Sequence, residues 1–158
     1  MEKRVTSALL CLVFTTMVSA QGPQVGVDIR AKEATQVVVA TVIDITSRYG
    51  VNAHGDQLIY SDVVAEVSET LKGAPTNIVI VTVEGGEVGD VALHVSDMPV
   101  VNKGERILYF LDHTADGRWV PHRRALGIVK VDSAERLDRG QMTLGQARTQ
   151  IRSALTGK

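Results

Sequence analysis

From Gln36 onward, apolar and polar positions alternate with a period of two, interrupted by clusters of glycine, proline, asparagine and aspartate. Residues 36–47 (QVVVATVIDITS) make a β-branched run in which Val37, Val39, Thr41, Ile43 and Ile45 share one face. Residues 50–56 (GVNAHGD) are a turn cluster. Over 58–71, Ile59, Val63, Ala65, Val67 and Leu71 point one way, while Tyr60, Asp62, Glu66, Ser68 and Thr70 point the other, the pattern of a half-buried strand. Lys72-Gly73-Ala74-Pro75 ends that strand. Residues 78–84 (IVIVTVE) are apolar on both faces at their start, which predicts cover on both sides. A glycine-rich turn at 84–90 precedes a short strand at 91–96, and Met98-Pro99 then interrupts pairing. Residues 106–112 (RILYFLD) are another strand apolar on both faces, followed by an Asp116-Gly117 hairpin and by strands at 119–121 and 126–131. About six strands spaced by such turns predict a small barrel or sandwich.

The period changes at the C-terminal end. Thr143 with Gln146 three residues later has the form of a capping box, and Leu144, Ala147, Ile151, Ala154 and Leu155 fall on one helical face before Gly157. Apolar helix faces are usually core, so this helix is expected to pack on the strands. The chain therefore divides into a lead-in at 21–35 with a short helical turn within 25–34, a β domain at 36–131, a polar tether at 132–142 and a helix at 143–156.

Residues 1–20 stand apart. Lys3 and Arg4 precede an apolar stretch, Val18-Ser19-Ala20 supplies small residues, and Gln21-Gly22-Pro23 cannot continue a helix, the arrangement of a secretory signal peptide. The stretch is shorter than the about 20 residues of a membrane span and carries Thr6, Ser7, Thr15 and Thr16. Cleavage after Ala20 removes Cys11, the one cysteine. It also removes Glu2, Lys3 and Arg4, so 17 basic and 18 acidic residues become 15 and 17, a net charge of −2. A cysteine-free exported chain fits a bacterial periplasm or the medium, with no membrane span after cleavage.

Composition narrows the chemistry further. A net acidic chain whose aromatics after the leader are Tyr49, Tyr60, Tyr109, Phe110 and Trp119 lacks the cationic groove and stacking platform of a nucleic-acid binder. His122-Arg123-Arg124 is its one local basic cluster and reads as a solvated strand end. There is no Gly-x-Ser-x-Gly elbow, and Ser61 and Ser96 read as polar strand residues. Of His54, His94, His113 and His122, none is paired at metal-ligand spacing; His113 and His122 flank the hairpin, and a site there needs His94 or Asp112 as a third ligand. Gly85-Gly86-x-x-Gly89 leads into a strand rather than a helix, and Glu84, Glu87 and Asp90 would repel an anion, so it reads as a bent connection instead of a phosphate cradle. No catalytic residue, metal ligand set or cofactor site is assigned.

Three segments carry a resemblance: Val37-Val38-Val39-Ala40-Thr41-Val42, then residues 64–73 ending in Leu71-Lys72-Gly73, then Lys103-Gly104-Glu105-Arg106-Ile107-Leu108-Tyr109-Phe110-Leu111. Their order resembles the netrin-module and tissue-inhibitor-of-metalloproteinases type of OB-fold, and uncharacterised bacterial secreted proteins with a Gly-Gly turn, a Met-Pro step and a Gly-Glu-Arg strand start. The resemblance implies a mainly β, closed or partly open OB-like barrel with the helix packed on it. The inhibitors' zinc-chelating N-terminal cysteine has no counterpart after residue 20.

The expectation is an exported, non-enzymatic β module that binds a protein partner in the envelope or outside the cell, with an exported protease as one partner class. Its contact surfaces are the loops carrying Gly85, Gly86, Glu87 and Gly89, and Asp97, Met98 and Pro99. Two alternatives are a secreted metal-dependent hydrolase using His94, His113 and His122, and an inhibitor of a secreted protease acting by loop insertion.

Overall fold

The computed structural model describes residues 25–137 and 140–157; the expected leader over residues 1–20 lies outside the described residues. A short helix, α1 (Val27–Glu33), precedes two long strands, β1 (Gln36–Val51) and β2 (Gln57–Lys72). β3 (Ile78–Glu84) follows, then a small hairpin, β4 (Gly86–Val88) and β5 (Val91–Leu93). β6 (Arg106–His113) and β7 (Trp119–Pro121) form the next hairpin, turned by Asp116-Gly117 with Gly117 at φ 86°. A 3-10 turn (Arg124–Gly127) leads to β8 (Ile128–Val131), and β9 (Arg136–Leu137) and β10 (Met142–Thr143) precede α2 (Leu144–Thr156).

The main sheet curls into a ring-like arrangement. Its order is β1-β2-β3-β7-β6, and β6 pairs back onto β1 from Gln36 with Leu111 to Thr41 with Arg106. All these pairings are antiparallel except β3 with β7, a parallel contact made at Val81 and Trp119. From β6 the sheet continues outward through β8, β9 and β10.

Alternation along β1 and β6 feeds two cores. Val38, Ala40 and Val42 with Ile107, Tyr109 and Leu111 face the inside of the ring, where they meet Val63, Ala65, Val79 and Val81. Val37, Val39, Leu108 and Phe110 face outward and are covered by Val27 and Ala31 of α1 and by Leu144, Ala147 and Ile151 of α2. This two-sided burial explains why residues 106–112 read as apolar on both faces. α2 is capped as its sequence implies: Gln146 N donates to Thr143 Oγ1, and Gln146 Oε1 accepts from Thr143 N. Gly157 closes it in the left-handed conformation.

Three expectations need correction. The single apolar face drawn through Val37, Val39, Thr41, Ile43 and Ile45 does not exist, because a bulge between Val42 and Asp44 shifts the register. An extra residue flips all that follows: Ile43 is left 39% exposed, and Ile45 joins Val42 on the inside. The start of β3 is covered on one face only. Val79 and Val81 are buried, but Ile78 and Ile80 are 44% and 52% exposed on the outer face, beside Glu66 and Val64 of β2. Residues 122–124 are not a solvated strand end, since His122 is buried between carboxylates and both arginines are in ion pairs.

The Leu71-Lys72-Gly73 segment has a clear structural job. Lys72 Nζ donates to the carbonyls of Ala31, Lys32 and Ala34, satisfying the C-terminal end of α1, where a cation is also favoured by the helix dipole. Gly73, at φ 92°, then turns the chain beside Gln36, whose Nε2 donates to Ala74 O.

Candidate functional site

The chain leaves the ring abruptly at the end of β3. Gly85 and Gly86 have φ of 103° and 135°, a conformation that L side chains rarely adopt. This bend throws the β4–β5 hairpin and the stretch that follows it, residues 94–102, across one end of the ring. Between them lies a cavity of about 400 Å³. Ile45, Val63 and Val83 form its floor, and Leu93, Met98 and Val100 are among the side chains that cover it.

Two serines seam the covering hairpin to the ring. Ser61 Oγ donates to Gly85 O at 2.6 Å and lies 2.9 Å from Ser47 Oγ. Gly85 N donates to Ile59 O. A side chain on Gly86 would run into Ser61 Oγ and stand 2.5 Å from Ser47 Oγ, so the close approach of the hairpin requires glycine there as well as permitting the bend.

The other side of the cover is held by Arg124. Its guanidinium engages Asp97 through two bonds, Nε to Oδ2 at 2.6 Å and Nη2 to Oδ1 at 3.0 Å, and reaches Glu84 Oε2 at 2.9 Å. One arginine thereby ties the end of β3 to the returning loop. Its hydrogen bonds hold the Asp97 carboxyl below the usual carboxylate range, and donating to Asp97 and Glu84 raises the guanidinium. Arg123 and Arg124 are both left-handed, at φ 50° and 59°. Such residues are uncommon and cost of order 1 kcal/mol or more each. The turn closes tightly on Gly127, where a Cβ would lie 2.5 Å from His122 N and 2.7 Å from Phe110 O, so position 127 requires glycine.

Of the contact residues read from the sequence, Gly85, Gly86, Glu87, Met98 and Pro99 line this one cavity. Gly89 sits at the turn of the β4–β5 hairpin, and Asp97 faces outward on Arg124; neither is among the lining residues. Sequence reasoning missed Ser47, Ser61 and Arg124. Ser61 left a trace, being a small polar residue in the apolar series Ile59, Ser61, Val63, Ala65. Nothing local marks Ser47 or Arg124 as an anchor for a distant segment.

The chain matches no protein-family model and no curated protein.

The histidines occupy separate environments. His94 lines the cavity, and His113 packs edge-on against Trp119 with ring centroids 4.7 Å apart. His122 places Nδ1 2.7 Å from Asp112 Oδ2 and Nε2 3.3 Å from Glu33 Oε2, with Arg123 on the same glutamate. That network ties α1 to the β6–β7 hairpin. Among the described residues, no group of three His, Cys, Asp or Glu side chains is placed to hold a metal ion. No helix among them is long and apolar enough to cross a membrane.

Proposed function

We propose that the protein is an exported, non-enzymatic module that binds a protein partner at the covered end of its ring. One observation carries the reading. Two adjoining segments, the β4–β5 hairpin and residues 94–102, fold together over a cavity, held there by a double-glycine bend and by a left-handed Arg124 paired with both Glu84 and Asp97. Strain of this kind concentrates at functional sites, and a cavity of this volume falls within the roughly 300–1,000 Å³ of ligand pockets. Val100 and Val91, 56% and 52% exposed, give the surround an apolar surface.

An OB-like barrel is the finer reading of the scaffold. It is supported by the order β1-β2-β3-β7-β6 returning to β1 and by the parallel placing of β3 beside β7. Export is supported by the charge, apolar run and small residues of positions 1–20. An exported protease remains the partner class that the resemblance implies.

The test is photocrosslinking in cells that make the protein from its own gene. A photoreactive residue at Val100 is expected to give one discrete protein adduct, and the same residue at Gln150, exposed on α2, none. No adduct from Val100, or equal labelling from both positions, rejects the reading.

A further inference from the structure

The chemistry of the cover identifies the kind of partner, an inference that rests on the partner-binding reading above. Residues 84–102 carry four carboxylates, Glu84, Glu87, Asp90 and Asp97, and no lysine or arginine. The cavity lining repeats the bias, with Glu84 and Glu87 present and no basic side chain apart from His94. Of the cations nearby, Arg124 is already shared between Asp97 and Glu84 and Arg48 is paired with Asp62, while Lys103 follows the lining residue Asn102 in an exposed position. Glu87 stands on the hairpin directly after Gly86, so its carboxylate lies at the rim while the floor is aliphatic: Ile45, Val63 and Val83.

We propose that the site takes a protein segment presenting an aliphatic side chain beside a lysine or arginine. The aliphatic group enters between Val63, Val83 and Met98, and burying it removes apolar surface from water. The neighbouring cation stays at the solvated rim near Glu87, where charge complementarity selects it and excludes acidic sequences. An anionic occupant would meet the exposed Glu87 carboxylate at the rim.

Three capped peptides test this on the chain from residue 21 onward: Gly-Lys-Leu-Lys-Gly, Gly-Glu-Leu-Glu-Gly and Gly-Lys-Gly-Lys-Gly, titrated while backbone amide resonances are followed. The first is expected to shift amides of residues 85–102, Ser47 and Ser61. The acidic peptide and the leucine-free peptide are expected to bind at least about fivefold more weakly, the scale of one exposed charge contact or one partly buried side chain. Glu87→Gln weakens the first peptide about fivefold, and Glu87→Lys abolishes its binding; both lie on an exposed hairpin position and leave the fold intact. Equal binding of the acidic peptide, indifference to Glu87→Gln, shifts away from the cover, or no shift with any peptide overturns the proposal. The two readings fail separately. An adduct at Val100 that persists unchanged in Glu87→Lys sinks the cationic segment and keeps the partner, whereas no adduct sinks both.

Discussion

Ser61 Oγ occupies the space that a side chain on Gly86 would need. The serine meanwhile donates to the carbonyl of the preceding Gly85, so the same atom both excludes a side chain and fastens the bend. Gly86→Ala is therefore expected to lift the β4–β5 hairpin off the ring and to cost about 1–3 kcal/mol, the scale of a strained left-handed residue. Denaturant unfolding measures the loss, and limited proteolysis should cut first within residues 87–101. The pair Gly86→Ala with Ser61→Ala should lose less than the sum of the two single losses, because the obstructing hydroxyl and the bond to Gly85 O are the same group.

Replacing Arg124 separates its two roles. Arg124→Ala removes both ion pairs and keeps the left-handed strain, whereas Arg124→Gly removes the pairs and relieves the strain. The glycine variant is expected to be more stable than the alanine variant by about 1 kcal/mol. Both should show faster amide exchange over residues 94–102 than the parent, since the clamp on Asp97 is lost in each. Equal exchange in parent and variants would show that Arg124 does not hold the cover.

Lys72 links the end of β2 to the end of α1 through three carbonyls. Lys72→Met keeps the aliphatic stem and leaves those acceptors without their charged donor, at an expected cost of about 1–3 kcal/mol. Equilibrium unfolding checks the size, and loss of amide protection confined first to residues 27–34 checks the location.

The acid limb of stability follows from the lowered carboxyls. Hydrogen bonds from Thr114 and Arg118 pull Asp116 down to about 2, and that from Arg124 lowers Asp97, both from an ordinary value of 3.8. Groups with a folded-state value below the unfolded one bind fewer protons when folded. Their stabilisation is present above the unfolded value and is lost as pH falls through the folded one. The melting temperature should accordingly hold steady from pH 7 to about 5 and decline between about 4 and 2. Asp116→Asn should flatten that decline by lowering the neutral-pH plateau by the same amount, and both changes should be small because the pair is solvent-exposed.

The two faces of β3 should respond unequally. Ile80→Thr, on the exposed face, is expected to change stability by less than about 0.5 kcal/mol. Val79→Ala, on the inner face, is expected to cost about 2 kcal/mol from lost burial and the space left behind. Similar losses at both positions would mean that the outer face of β3 is covered after all.

How far the sequence reached depended on the range of the interaction. Period two located β2, an apolar run bounded by turn residues located β6, and period 3.6 with the Thr143–Gln146 box located α2, because each is decided by neighbours within a few residues. The bulge at Ile43 escaped because an inserted residue looks like any other β-branched position until its partner strand is known. Ile78 and Ile80 misled for a similar reason, as apolar type does not reveal which face is covered. Residues 132–142, read as a polar tether, carry β9 and the start of β10, with Leu137 fully buried in the outer core. At the site, the glycines were readable from backbone demand alone. The serines and Arg124 act only on segments distant in sequence, which no local pattern encodes.

The pairing of Gln36 with Leu111 and the sharing of one outer core by α1 and α2 bear on how the polypeptide assembles. β1 precedes β6 and α2 along the chain, so the second edge of its first six residues, Gln36 to Thr41, waits for β6, and its outer surface waits for Leu144, Ala147 and Ile151. Contacts so distant in sequence form slowly. The ring and the outer core are thus both closed by residues well downstream of β1, and a fragment ending before β6 is expected to lack both.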